Sequence, residues 1–221
     1  MKVQIILATY HRPELLKRAV DSVLQQTFKE FELWIVKDGC GDATKIYPTF
    51  NDETPCRECS LCQEANMIGK EYENKDARVK YFVLPANYAG SGWGPRNFAL
   101  LNSNIPFVCY LDDDNWYLPN HVEVLYNKIN ETNTDFCYTG SNLYRDSGNR
   151  FVGTRCNTSI PEHCKIDTSE IIHKKEIIQK VNGWRTDQIH GDNDWDFVSR
   201  VLGTCCTWSA TGVITTNYVF K

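Results

Sequence analysis

Phe107-Val108-Cys109-Tyr110-Leu111-Asp112-Asp113-Asp114-Asn115-Trp116-Tyr117-Leu118-Pro119 is the stretch whose reading decides the fold. It opens as a short apolar run of β-branched and aromatic residues behind Pro106, which predicts a buried strand. Pro119 and the apolar spacing of Val122, Leu125 and Ile129 predict a helix just beyond. The three carboxylates therefore sit on the turn at the carboxyl end of a strand, where open α/β sheets bind ligands. Adjacent carboxylates repel one another. Either water solvates them on an exposed loop, or a hard divalent cation holds them. Mg²⁺ and Mn²⁺ prefer oxygen ligands and share their shell with substrate phosphates. An acidic run directly after a buried strand favours the cation.

Upstream, Val3 to Leu7 reads as a strand ending in Ala8-Thr9-Tyr10-His11-Arg12-Pro13. Pro13 suits the first turn of a helix over about Glu14 to Gln26, with Leu15, Leu16, Ala19, Val20, Val23 and Leu24 inward. Phe31 to Val36 is a second strand, ending in Lys37-Asp38-Gly39. Arg78 to Leu84 is a third, followed by a glycine-rich loop over 89–95 and a helix from about Arg96 to Asn102. This strand–helix rhythm predicts parallel pairing. Its strand ends carry Thr9, Tyr10, Asp38, Asn87 and the triple aspartate. Downstream, Asp135 to Gly140 and Arg150 to Gly153 flank a turn-like 146–149 segment and predict a hairpin or two edge strands. Ile171 to Val181 reads as a helix with Lys174, Lys175 and Lys180 outward. Cys205-Cys206 and Val213 to Phe220 read as strands.

A chain of 221 residues supports one substantial α/β core or a core with an attached lobe. Its net charge of −4 gives no reason to expect nucleic-acid binding. No apolar run approaches the roughly 20 residues of a membrane span, and the N-terminal apolar stretch is short for a signal peptide. The expectation is a cytoplasmic protein, with room for peripheral membrane contact. Its 10 cysteines then read mostly as reduced thiols.

The chain resembles glycosyltransferase family 2. The pieces that carry the resemblance are Ile6 to Pro13, Ser22 to Thr27, Phe31 to Gly39, Gly94 to Leu100, Tyr110 to Pro119, Val181 to Arg185 and Asp192 to Arg200, in the family's order. The resemblance implies a GT-A fold: a Rossmann-like, mostly parallel central sheet flanked by helices, with a smaller mixed or antiparallel acceptor side. It implies one domain over residues 1–221, with 1–119 binding nucleotide and metal and 120–221 binding acceptor. The implied reaction moves a sugar from a nucleotide-diphosphate donor, UDP-linked by preference, to a hydroxyl of a carbohydrate or glycoconjugate, with inversion and with Mn²⁺ or Mg²⁺.

Residue by residue, the family's Asp-x-Asp motif falls on Asp112 to Asp114, with Asp114 as metal ligand and Asp112 assisting or contacting ribose. The nucleotide set is Ala8, Thr9, Tyr10, Arg12, Asp38, Asn87, Arg96, Asp112 and Asp113. Asp38 would accept a pyrimidine N–H; its bland alternative is a turn residue beside Gly39. Asp194 takes the position of the base that removes the acceptor's proton, or it caps a helix containing Phe197, Val198 and Val201. Two departures stand out. Lys37 occupies the first of two positions that are often acidic. Asn193 stands where the family usually has Glu, which should lower the pKa of Asp194 by removing a like charge. Trp184, Arg185, His190 and Trp195 are candidates for the acceptor side, with core packing the alternative for each.

Cys56, Cys59 and Cys62 can supply three thiolates to structural zinc, with Cys40 as a fourth. No second Cys-x-x-Cys pair follows, so exposed reduced thiols are the favoured reading. Two other functions compete. A sugar-nucleotide nucleotidyltransferase would want a glycine-rich loop after the first strand, and none is present. A non-catalytic nucleotide-sugar or carbohydrate-binding module would not need Asp194. A retaining transferase on the same fold is a nearer alternative.

Overall fold

A computed structural model describes residues 1–42, 60–88, 92–186, 192–204 and 206–220. Four strands form the parallel half of the main sheet: β1 (Val3–Thr9), β2 (Phe31–Lys37), β4 (Val79–Val83) and β6 (Phe107–Asp112). They lie in the order β4-β2-β1-β6, all parallel. Period-2 alternation buries both faces. Val3, Ile5, Leu7, Leu33, Ile35, Cys109 and Leu111 face one core, while Ile6, Trp34, Val36, Val108 and Tyr110 face the other.

Helices cover both faces. On the first side lie α1 (Pro13–Leu24), α2 (Ser60–Lys75) and α4 (His121–Glu131). On the second lie α3 (Trp93–Leu101), α5 (Ile177–Val181) and α6 (Asn193–Gly203). α2 was not expected from the sequence. It rests on Tyr81 and α1 through Ala65, Ile68 and Tyr72, whose hydroxyl donates to Asp21 at 2.6 Å. A short parallel pair, β3 (Gly41–Asp42) with β5 (Ala86–Asn87), continues past the ends of β2 and β4.

The second half of the chain extends the same sheet with mixed polarity. β10 (Ile171–Lys174) runs antiparallel between β6 and β8 (Phe136–Arg145), and β11 (Trp208–Val219) lies parallel to β8. β7 (Trp116–Tyr117) closes that edge, and β9 (Arg150–Arg155) forms the expected hairpin with β8.

Here the structure corrects the sequence reading. Ile171 to Lys174 is a strand, and only Ile177 to Val181 is helical. Ile171 and Ile172 are fully buried inside the sheet, where β-branched side chains fit the pleat better than a helix turn. Lys175 does not point outward: its ammonium donates to the carbonyls of Leu100 and Ser103. β8 is an interior strand rather than an edge. Cys206 is buried but precedes the last strand, and Cys205 lies outside the described residues.

In order of appearance the parallel strands are 1, 2, 3 and 4, and they lie 3-2-1-4. The chain reverses direction across the sheet between β1 and β6. That switch point opens a crevice beyond the carboxyl ends of the strands, bounded by Thr9 and Asp112.

Candidate active site

A cavity of about 790 Å³ occupies this crevice, within the usual range for small-ligand sites. Ala8, Thr9, Tyr10, Arg12, Asp38, Asn87, Asp112, Asp113, Asp114 and Asp194 all line it, so residues named from the sequence gather around one space. Among the described residues six aspartates face it: Asp38, Asp112, Asp113, Asp114, Asp167 and Asp194.

The triple aspartate divides its labour. Asp113 is buried at 4% exposure and accepts from Thr9 Oγ1 at 2.8 Å and Arg12 Nη1 at 2.9 Å. Burial pushes its pKa up to about 6, against the pull of Arg12. Its bonds tie β6 to the end of β1. Asp114 accepts from Arg12 at 2.9 Å, and its carbonyl accepts from Arg18 at 2.7 Å. Arg12 sits at the N-cap of α1 but gives its side chain to these aspartates, while Pro13 starts the helix.

Asp112 meets the buried guanidinium of Arg96, which donates to it at 2.5 Å and to Asp194 at 3.5 Å. Arg96 is only 1% exposed and stacks on Trp184, 4.4 Å from the ring centroid. Gly92, in the left-handed region at φ 79°, caps α3 and directs Arg96 inward; a Cβ there would lie 3.1 Å from that of Ala8.

Asp167 was not anticipated. Its carboxylate accepts from Ser169 N at 2.8 Å and Asn115 Nδ2 at 3.4 Å, in a capping box with Glu170. The Asp167-Thr168-Ser169-Glu170 spacing is a legible capping signal, but its neighbourhood to Asp112 is long-range. One carboxylate oxygen each of Asp112, Asp167 and Asp194 lies within 4.8 Å of the others. Burial and like charge hold Asp167 well above the ordinary carboxylate range and Asp194 up to about 6. Asn193 adds no like charge beside Asp194, yet enclosure and the nearby carboxylates still raise Asp194 above its ordinary value. Asp194 lies in the first turn of α6; Asp192 is at the N-cap and makes no side-chain cap bond.

Asp38 follows β2, with its N–H on Thr9 O and its carboxylate accepting from Tyr88 N at 3.4 Å. Burial raises its pKa to about 7, against the pull of Lys37. Lys37 is fully buried and donates to the Asp38 carbonyl at 3.1 Å. Gly39 packs against the β4–β5 link: a Cβ would stand 2.3 Å from Leu84 O and 2.7 Å from Ala86 N. Gly39→Ala is expected to cost on the order of 1–3 kcal/mol through overpacking. At this size each kcal/mol removes about 2–4 °C of melting temperature. An unchanged thermal midpoint by circular dichroism would refute the close approach.

The acceptor candidates scatter. Trp184 is in the core, stacked on Phe197 at 4.1 Å, and supports Arg96 from beneath. Arg185 pairs with Asp196 at 3.1 Å. Trp195 packs against the second core near His163. His190 lies outside the described residues, as do Cys56 and Cys59. Tyr218, Val219 and Phe220 at the end of β11 line the cavity and were missed.

The profile of the family described as Glycosyl transferase family 2 matches residues 4–47 and 65–191. The chain is similar to a GalNAc(5)-diNAcBac-PP-undecaprenol beta-1,3-glucosyltransferase of Campylobacter jejuni, 29% identical over 59% of this chain and 35% of that protein. It is also similar to the O-antigen biosynthesis glycosyltransferase WbnJ of Escherichia coli, 24% identical over 92% of this chain and 72% of WbnJ. The chain thus spans about a third of the first relative and most of the second. A crystal structure of Staphylococcus aureus TarS residues 1–349 with UDP-GlcNAc superposes with a TM-score of 0.73. That match is 18% identical over all of this chain and 59% of TarS 1–349. The arrangement is the GT-A fold. Among the described residues no helix is long and apolar enough to cross a membrane.

Proposed function

The chain belongs to glycosyl transferase family 2, and we propose that it transfers a sugar from a UDP-sugar to a hydroxyl of a glycoconjugate, with inversion and with Mn²⁺ or Mg²⁺. One observation carries this reading: six aspartates facing one cavity at the switch point of the sheet. A diphosphate entering such a cavity is repelled unless a cation accompanies it. The relatives support the donor class: TarS was crystallised with UDP-GlcNAc, and one similar Escherichia coli protein is described as using UDP-Glc.

The residues present fit a hard ion. The donor set is all carboxylate oxygen, and oxygens of Asp112, Asp167 and Asp194 already converge, with Asp114 on the same cavity wall. Asp114 and Asp112 would hold the ion, with Asp167 completing the oxygen cluster and Asp194 left to face the acceptor. Bound there, it neutralises the charge that develops on the leaving diphosphate.

The protein's own groups supply the rest. Asp38 accepts the base N–H, with Tyr10 and Asn87 beside it on the same wall. Thr9 and Arg12 fix Asp113 and Asp114. Arg96 orients Asp112 and Asp194 together. Asp194 takes the acceptor proton as the hydroxyl oxygen bonds to the anomeric carbon and the bond to the diphosphate oxygen breaks. A base that titrates near 6 suits this task at neutral pH.

Calorimetry with UDP tests the donor half. UDP is expected to bind with Mn²⁺ present and not in EDTA, and Asp114→Ala should abolish that binding. Proton linkage adds a pH signature. Burial and like charge hold Asp167 well above the ordinary carboxylate range, so cation binding beside it must displace its proton at low pH. Mn²⁺ affinity should therefore fall as pH drops, by up to about tenfold per pH unit for the proton displaced. Metal-independent UDP binding, or Mn²⁺ affinity flat from pH 5 to 7.5, would remove the basis for this reading.

A further inference from the structure

A second cluster of ligand atoms lies at the rim of the cavity and differs in chemistry from the aspartates. His11 Nε2 stands 2.9 Å from Cys40 Sγ and 2.9 Å from Cys62 Sγ, and the two sulfurs are 2.8 Å apart. We propose that His11, Cys40 and Cys62 form a zinc site that clamps the ends of β1 and β2 to the start of α2.

The three residues come from three separate elements. His11 follows β1, Cys40 follows β2, and Cys62 lies in the first turn of α2. Nothing local brings them together: they are 29 and 51 residues from His11 in sequence. Cys62 is fully buried, whereas the sequence reading placed it on an exposed insertion. His11 holds a left-handed backbone at φ 55°, which a non-glycine residue adopts at a cost. Tyr10 stacks on its ring at 3.8 Å. The imidazole is thus aimed by its backbone and braced by its neighbour.

The sulfur separation exceeds the roughly 2.05 Å of a disulfide bond. A tetrahedral ion with Zn–S of about 2.3 Å and Zn–N of about 2.0 Å spaces its ligands by roughly 3.5–3.8 Å. Insertion therefore opens each edge of the triangle by about 1 Å or less. Two thiolates and an imidazole select zinc over Mg²⁺ or Mn²⁺. The bookkeeping of charge is simple: Zn²⁺ binds the neutral imidazole through Nε2, and the two thiols each release a proton. The site then carries no net charge beside the buried Lys37 side chain. Among the described residues three ligands converge, one fewer than the four of a closed structural zinc site.

The ion would be structural. It fixes the wall formed by Tyr10, His11 and the Asp38–Cys40 turn, and it joins to that wall a helix that otherwise rests on α1 and β4. This inference does not depend on the role given to the aspartates, and its test is separable from theirs.

The whole chain is expressed in zinc-supplemented medium, dialysed, and assayed for metal by plasma mass spectrometry. One zinc per chain is expected in the wild type. His11→Ala and Cys40→Ser should each retain less than a tenth of it, as should Cys62→Ser if it folds. Replacement by Co²⁺ should give a near-ultraviolet thiolate-to-cobalt charge-transfer band in the wild type and in Asp114→Ala, but not in Cys40→Ser. That band cannot come from the carboxylate cluster. A strong chelator should lower the melting temperature of the wild type by several degrees and leave Cys40→Ser unmoved. No zinc after dialysis, zinc retained in both His11→Ala and Cys40→Ser, or a Cys40–Cys62 disulfide in the intact mass would each overturn the site.

Discussion

Asp194→Asn should lower UDP release from UDP-GlcNAc or UDP-glucose, measured with acceptor present, by roughly 10²- to 10⁴-fold, the range for loss of a positioned general base. UDP affinity in Mn²⁺ should change little, since Asn keeps the shape of the side chain and Asp112 and Asp114 remain. The variant should also melt no lower than the wild type. Asp194 is held above the ordinary carboxylate range by burial and by Asp112 and Asp114, so removing its charge relieves repulsion rather than breaking a needed bond. The combination separates a base from a helix cap, because loss of a cap lowers stability by about 1 kcal/mol. A variant that keeps its turnover, or loses UDP binding in step with turnover, would overturn the assignment.

Arg96→Met should be the most destabilising single change around the cavity. Its guanidinium is 1% exposed and is shared by Asp112 at 2.5 Å and Asp194 at 3.5 Å, with Trp184 beneath. Methionine fills much of the volume but leaves the carboxylates facing one another. Removing one partner from a buried ionic cluster costs on the order of 3 kcal/mol or more. The open side of the cavity, where Asp112 and Asp194 are about a third exposed, keeps the loss near the lower end. Urea denaturation measures it, and adding Asp112→Asn to Arg96→Met should recover part of the loss. If the double variant is as unstable as the sum of the singles, the pairing is not what holds Arg96 there. The sign of the pH dependence follows from the same cluster. Carboxylates raised from their ordinary value to about 6, as Asp113 and Asp194 are, keep protons that the unfolded chain has released. Stability of the metal-free protein therefore falls as pH rises from about 4 to 6, and their contribution is flat above.

Much of this was legible in one dimension. The strand before Asp112, the helix after Pro13 and the parallel β–α rhythm rest on local periodicity, which needs no partner to be read. Misreadings cluster where partners decide. Ile171 to Val181 has apolar spacing compatible with a helix, yet its first residues are captured by the free edges of β6 and β8. α2 follows a polar stretch and has a weak apolar stripe, so only the faces of α1 and Tyr81 define its buried side.

The site divides in the same way. The sequence by itself determined that Asp112 to Asp114 stand at the end of a buried strand, since an apolar run followed by carboxylates admits few placements. It likewise set Asp38 and Asp194 at the starts of loops or helices. Only the tertiary structure decided which carboxylates meet. Asp113 is consumed by Thr9 and Arg12, while Asp167, 55 residues beyond Asp112, is brought beside it by antiparallel pairing of β10 with β6. The convergence of His11 with Cys40 and Cys62 was equally hidden. Side-chain chemistry is written along the chain, but distance between elements is set by strand order, and strand order depends on how all the apolar faces are buried together.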